Sequence, residues 1–319
     1  MLIPVILLVS FIVYWLADLA PGDFVDNMVS AEMTKEDIAA LKAQYDLDKP
    51  MIYRYGKYMW NLLHGDLGVS VLSNKSVWQT YKSKFPNTIK LTLVGMILGL
   101  IVAIPLGIYC ARHAGGITDN LATIVVIFGI SMPSFWLALL MLQWFSFKLG
   151  WLPTSGMGHG IKSFVLPGIC SALMLMASAT RQTRSSMLEV LRADYLRTAR
   201  AKGVPEREVI HKHAFKNALI PIITVTGTAL SYSLAGSVAI ETVFAWPGVG
   251  RMAVEGVSMR DTPTVIGSVI LTSIVYVVIQ ILVDIAYAFV DPSIRAQYTT
   301  NRKKKKAAAA LASASAEEA

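Results

Sequence analysis

The chain has 319 residues, of which 54% are hydrophobic and only 16% charged, with a mean hydropathy of +0.52 and a formal net charge of +8. Soluble domains carry about 25% charge, so this composition excludes a soluble globular protein and places the chain in a membrane. The positive charge does not point to nucleic acid, because the cations cluster in one loop and in residues 302–306, where topology and anionic headgroups require them.

A membrane span needs about 20 mostly apolar residues. Six segments meet this, at 2–19, 87–111, 119–147, 164–183, 217–240 and 264–289. The first begins almost at the start of the chain. It lacks a basic flank, and Leu19-Ala-Pro-Gly-Asp23 is not a small-x-small cleavage site, so it reads as a span and not as a signal peptide. Six spans put both termini on one side, and the positive-inside rule makes that side cytoplasmic.

Residues 21–86 then lie outside, where cations and anions balance. Thr34-Lys-Glu-Asp37 resembles a capping box, and Ile38, Leu41 and Tyr45 follow at helical spacing. Trp78, Tyr81 and Phe85, with Lys82 and Lys84, predict an interfacial helix leading into span two. Within span two, Gly95, Gly99, Ala103 and Gly107 recur at steps of four, a surface for close helix packing in lipid. The two cysteines, Cys110 and Cys170, sit in apolar segments without a Cys/His cluster, so the sequence supports neither a disulfide framework nor a metal site.

The most informative stretch is the loop 185–216 between spans four and five. Arg192, Arg197, Arg200, Lys202, Arg207, Lys212 and Lys216 are its cations, with Glu189, Asp194, Glu206 and Glu208 among them. Lipid will not hold such a segment, and a loop this basic belongs in the cytoplasm. Leu188, Leu191, Tyr195 and Ala199 predict one helical stripe, Gly203 a stop, and Pro205 with Glu206 and Glu208 a new start. A rigid helix–turn–helix there is suited to touching a cytoplasmic partner.

Span five is rich in hydroxyls, with Thr224, Thr228, Ser231 and Ala235 on one face. Span six shows Thr264, Ser268, Thr272, Tyr276, Gln280 and Asp284 at steps of four. Polar groups in a membrane must face protein or water. The stripe therefore either lines a solute path or makes hydrogen bonds between helices. Pro105, Pro133 and Pro221 fall within spans, and residues 299–319 form a basic, low-complexity tail. No G-x-x-x-x-G-K-[ST] loop and no catalytic constellation occurs. The expectation is a chain that is not an enzyme, and if it does work against a gradient the energy comes from a partner ATPase or an ion gradient.

These features coincide with further motifs: Gly150-Trp-Leu-Pro-Thr-Ser-Gly156, Asp194-Tyr-Leu-Arg-Thr-Ala-Arg-Ala-Lys-Gly203, Lys216-Asn-Ala-Leu-Ile-Pro221, Glu241-Thr-Val-Phe-Ala-Trp-Pro-Gly-Val-Gly-Arg251 and Asp291-Pro-Ser-Ile-Arg295. Together with Leu19-Ala-Pro-Gly-Asp23 they make residues 1–298 resemble the permease subunits of dipeptide/oligopeptide/nickel ATP-binding-cassette importers. The resemblance implies an all-α membrane protein of the type I importer permease fold. It would have six transmembrane helices and a small helical extracytoplasmic segment at 21–86. Residues 87–298 would be the five-helix core.

It further implies that 185–216 holds the coupling helix, which docks on the ATPase through Tyr195, Thr198, Ala199, Lys202 and Gly203. Ala199 and Gly203 match the second Ala and the Gly of the family's E-A-A-x-x-x-G pattern, while Arg197 and Thr198 depart from it. The implied partners are a second, homologous permease, one or two cytoplasmic ATPase subunits, an extracytoplasmic solute-binding protein, and membrane lipid. ATP and Mg would bind the ATPases, with no cofactor in this chain. The expected setting is the bacterial cytoplasmic membrane. The expected cargo is peptide, with a nickel chelate, glutathione or another small solute as the alternative. The substrate-path candidates are Thr228, Ser231, Thr272, Tyr276 and Gln280. A secondary transporter is the competing class. It requires intramembrane acids near mid-bilayer, whereas the one clear acid of the later spans, Asp284, is off-centre.

Overall fold

The computed structural model describes residues 2–19, 22–27, 29, 33–71, 73–234 and 238–290. The 299–319 tail, the 291–295 motif, Ala20 and Pro21 of the first motif, and Ala235 of the span-five face lie outside the described residues. Among the described residues the chain is helical, apart from one isolated antiparallel bridge between Val69 and Ser76. The helices are α1 (Leu2–Leu19), α2 (Lys35–Gln44), α3 (Met51–Leu63), α4 (Val77–Arg112), α5 (Ile117–Ser131), α6 (Ser134–Met141), α7 (Lys162–Leu191), α8 (Asp194–Ala201), α9 (Glu206–Glu208), α10 (Phe215–Leu234), α11 (Val238–Val243), α12 (Val249–Ser258) and α13 (Thr262–Val290).

Among the described residues four helical stretches are long and apolar enough to cross a membrane: α4, α7, the continuous run Glu206–Leu234, and Thr262–Ile285 of α13. A fifth crossing exists if α5 and α6 count as one bent span, and α1 is a shorter apolar helix. The expected third span is therefore not a single helix. Pro133 has no backbone N–H and pushes the residue before it out of the helical region. Met132 is accordingly extended (φ −83°, ψ 129°), and the helix restarts at Ser134. The expected interfacial helix and span two, in contrast, are one element. α4 runs unbroken for 36 residues through Pro86 and Pro105, about 54 Å at 1.5 Å per residue. It is longer than a bilayer core and carries the span into the segment that precedes it.

The small-residue stripe of α4 packs on α7. A Cβ at Gly95 would stand 2.6 Å from the Cβ of Ser171, and one at Gly107 would stand 2.6 Å from the Cβ of Thr183. Ala103 between them is fully buried with Leu175 and Ala179. The segment between α1 and α4 has its own small core of Phe24, Val25 and Val71, covered by Ile38, Leu41 and Leu47. The capping box of α2 forms as its sequence predicts. The Asp37 amide donates to Thr34 Oγ1 at 3.2 Å, and the Thr34 amide donates to Asp37 Oδ2 at 2.9 Å. Buried Asp261 ties this segment to α13, accepting from Ser70 Oγ at 2.5 Å and from Thr264 Oγ1 at 2.8 Å.

Candidate functional site

The basic loop is a folded device. α7 stops at Leu191, the chain turns through Arg192 and Ala193, and α8 starts with Asp194 in its first turn, where an acid suits the helix dipole. That turn splits the expected continuous stripe. Leu188 and Leu191 belong to α7, Tyr195 is exposed, and the residue buried in α8 is Leu196. Leu196 packs with Met187, Val209, Ile210, Ala214 and Ala218, and with Ile108 and Ala111 of α4. The turn is thus clamped onto the ends of three spans.

Gly203 closes α8 as a Schellman motif. Its N–H donates to the Arg200 carbonyl at 3.0 Å, and the Val204 N–H donates to the Ala199 carbonyl at 3.3 Å. Its φ is +78°, and a Cβ there would meet nothing within 4 Å. Backbone conformation, and not crowding, demands glycine here. Arg200 then forks onto Glu206 with two bonds of 3.0 Å, bridging α8 to the next helix. Of the coupling candidates, Tyr195, Thr198, Lys202 and Gly203 are exposed and Ala199 is half-buried. Thr198 donates to the Asp194 carbonyl at 3.3 Å, and Tyr195 accepts from Asn217 Nδ2 at 2.7 Å.

Asp119 and Arg184 lock the same end of the bundle. Arg184 donates from Nε at 2.5 Å and from Nη2 at 2.7 Å to Asp119, which is 2% exposed and also accepts from the Gly115 amide at 2.9 Å. This bidentate pair holds the start of α5 against the end of α7.

Within the membrane region a cavity of about 640 Å³ opens between α7 and α10. Ser134, Ser171, Ser178, Thr224, Thr228, Tyr232 and Ser233 are among its lining residues, the rest of the lining is apolar or cysteine, and no charged residue lines it among the described residues. Of the path candidates, Thr228 lines this cavity. Ser231 is fully buried beside it and donates to the Gly227 carbonyl at 3.1 Å. The span-six candidates stand back. Thr272 Oγ1 lies 3.4 Å from the Tyr81 hydroxyl, and Gln280 Nε2 donates to Asp284 at 3.3 Å. The ring of Tyr276 packs behind cavity-lining Tyr232 with centroids 5.9 Å apart.

One polar centre was not singled out as a site from the sequence. Glu241, on α11 and without exposed surface, accepts from Thr88 Oγ1 at 2.7 Å and from the Arg251 amide at 3.0 Å. Thr88 Oγ1 in turn accepts from the Val249 amide at 3.0 Å. Trp246 Nε1 donates to the Asn87 carbonyl and Asn87 Nδ2 donates to the Pro247 carbonyl, each at 3.0 Å. The start of α12 is latched to α4 through this carboxylate. The available signal was an acid after an apolar run, with Gly248 and Gly250 following closely enough to let a carboxylate in.

Comparison with known proteins agrees with this architecture. The family model described as the inner membrane component of binding-protein-dependent transport systems matches residues 103–296, and that of its N-terminal part matches residues 2–92. The glutathione transport system permease protein GsiC of Salmonella paratyphi A is 38% identical over 92% of this chain and 96% of that protein. Its counterpart from Escherichia coli K12 is 37% identical over the same shares. The inward-facing MetNI methionine transporter superposes with a TM-score of 0.54 over 67% of this chain and 97% of that chain, at 18% identity, a likeness of fold. The chain therefore belongs to the inner membrane components of binding-protein-dependent transport systems, as a permease of the peptide/nickel/glutathione type of ATP-binding-cassette importer.

Proposed function

We propose that the chain forms one half of a translocation pathway for short peptides, driven by separate ATPase subunits that bind ATP and Mg. The observation that carries this is the uncharged cavity between α7 and α10, lined by serine, threonine, tyrosine and apolar residues and set on the same bundle as a rigid basic turn. A wall of small hydroxyl and apolar residues with no fixed charge can pass short peptides of differing side-chain charge. Selection then falls to a solute-binding protein. A cavity on one bundle also needs a facing wall, which a second permease supplies. In this reading α1 is also a span and brings the number to six, both termini and 185–216 are cytoplasmic, and 21–86 face the binding protein. The turn at Tyr195–Gly203 docks on the ATPase. Closure of the ATPases moves it as a unit, because Leu196 is packed onto three spans, and the two bundles rock to switch access.

The GsiC relatives favour glutathione, itself a tripeptide, as the particular cargo. The test is uptake by proteoliposomes holding the complete importer, with labelled dipeptide, oligopeptide, glutathione and a nickel chelate offered in turn. ATP-dependent uptake of glutathione alone narrows the cargo. Uptake driven by an ion gradient without ATP refutes the reading.

A further inference from the structure

α3 belongs to the segment that sequence places in the outer aqueous space, yet it lies beside the middle of α1. The Tyr55 hydroxyl sits 3.0 Å from Ser10 Oγ and donates to the Leu7 carbonyl at 3.2 Å. Ser10 is nine residues before Leu19, about 13 Å down the helix at 1.5 Å per residue, and half of a bilayer core is about 15 Å. Tyr14, Tyr55 and Tyr58 also pack with Ile266 and Ile270, which lie below the start of α13.

Around its axis α3 divides into three sectors at 100° per residue. Met51, Tyr55, Tyr58 and Leu62 face α1 and α13. Arg54 and Lys57, with Asn61, form a polar edge. Arg54 donates to Asp18 and to the Lys49 carbonyl, and Lys57 donates to Asp46, so this edge points up to the outer loop and the end of α1. The remaining edge is apolar and exposed, with the Trp60 ring in contact with His64 at a centroid distance of 4.8 Å. Ile52 is 76% exposed, Leu63 78% and Trp60 65%, with Tyr53 beside them.

We propose that α3 is an in-plane membrane helix whose Ile52, Trp60 and Leu63 edge is buried in the lipid leaflet opposite the basic turn. An apolar edge, a cationic edge and tyrosine and tryptophan at the boundary are what a helix at the headgroup level requires. The edge is continuous with the exposed apolar flank of α1 at Leu8, Phe11, Ile12 and Trp15, through the edge-on contact of Phe11 with Tyr55 at 5.4 Å. A protein arriving from water meets the polar edge first, because the apolar edge points toward the bilayer centre. Lipid is therefore the occupant. The helix wedges the outer segment onto the bundle and fixes the height at which a solute-binding protein meets it.

The experiment uses the complete importer in nanodiscs of phosphatidylethanolamine and phosphatidylglycerol. Cys110 and Cys170 are buried, so single spin labels are placed at I52C, L63C, K57C and N61C. Collision with oxygen should exceed collision with a water-soluble nickel chelate several-fold at 52 and 63, and the order should reverse at 57 and 61. Chelate-dominated collision at 52 and 63 overturns the proposal. So does shielding from both reagents, or protection that arises only when the binding protein is added, since a protein then covers the edge. Brominated lipid gives a reading without a label: Trp60→Phe should remove a quenched component of the fluorescence, and an unchanged quenching curve counts against lipid burial. Transport proceeds under either outcome, so this result is independent of the cargo reading.

Discussion

Replacing Glu241 by glutamine tests the latch between α4 and α12. The wild-type carboxylate uses both oxygens, Oε1 for the Thr88 hydroxyl at 2.7 Å and Oε2 for the Arg251 amide at 3.0 Å. Glutamine keeps one acceptor and turns an NH2 toward the other donor. The side chain has no exposed surface, so water cannot repair the mismatch. One stranded buried donor costs about 1–3 kcal/mol, and that is the expected loss. Glu241→Ala should cost as much or more, because it strands both donors and leaves a void.

Gly248→Ala reaches the same centre from the other side. Gly248 has an ordinary extended backbone (φ −101°, ψ −179°), yet a Cβ there would collide with both carboxylate oxygens of Glu241. The assay is the thermal inactivation midpoint of the purified complex, with limited trypsin digestion at Arg251 as a local probe. Both E241Q and G248A should lower the midpoint and expose Arg251. A wild-type midpoint and digestion pattern for E241Q would refute the account of two donors on two oxygens.

Three other outcomes are expected. Gly203→Ala should cost about 1 kcal/mol through its left-handed φ alone, while Gly203→Trp should abolish ATP-driven uptake with membrane insertion intact; normal uptake with Trp means that this turn is not the docking element. Arg184→Ala should destabilise the complex by about 3–5 kcal/mol because it strands a buried carboxylate, and Asp119→Ala should cost less because its partner guanidinium keeps a third of its surface in contact with solvent; the reverse order in denaturation midpoints contradicts the burial argument. A cysteine at Thr228 should react with small aqueous thiol reagents and one at Ser231 should not, while reactivity at Tyr276, behind Tyr232, should change when ATP and vanadate trap one state; equal inertness at Thr228 and Tyr276 moves the path away from the α7–α10 cavity.

The sequence alone was enough for whatever depends on neighbours a few residues apart. Composition decided the membrane class, because lipid tolerates little charge. The capping box at Thr34 and Asp37 and the stop at Gly203 were legible because their hydrogen bonds close within three to five residues. The stripe from Gly95 to Gly107 was legible because helical period alone puts it on one face. Tertiary structure decided the rest. The break at Met132 followed the local rule for proline, but only packing turned it into two helices. Tyr195 and Leu196 exchanged roles because the chain restarts α8 after Ala193, which resets the buried face. The donors of Glu241 come from Thr88 on another helix and from Arg251, and the cavity joins residues of α6, α7, α10 and α11, pairings that no short-range pattern encodes. The depth of α3 is of the same kind. Its amphipathic pattern is written in the chain, but only its contacts with Ser10 and Leu7 set it beside the middle of a span, since depth is fixed by what a helix touches and not by its own period.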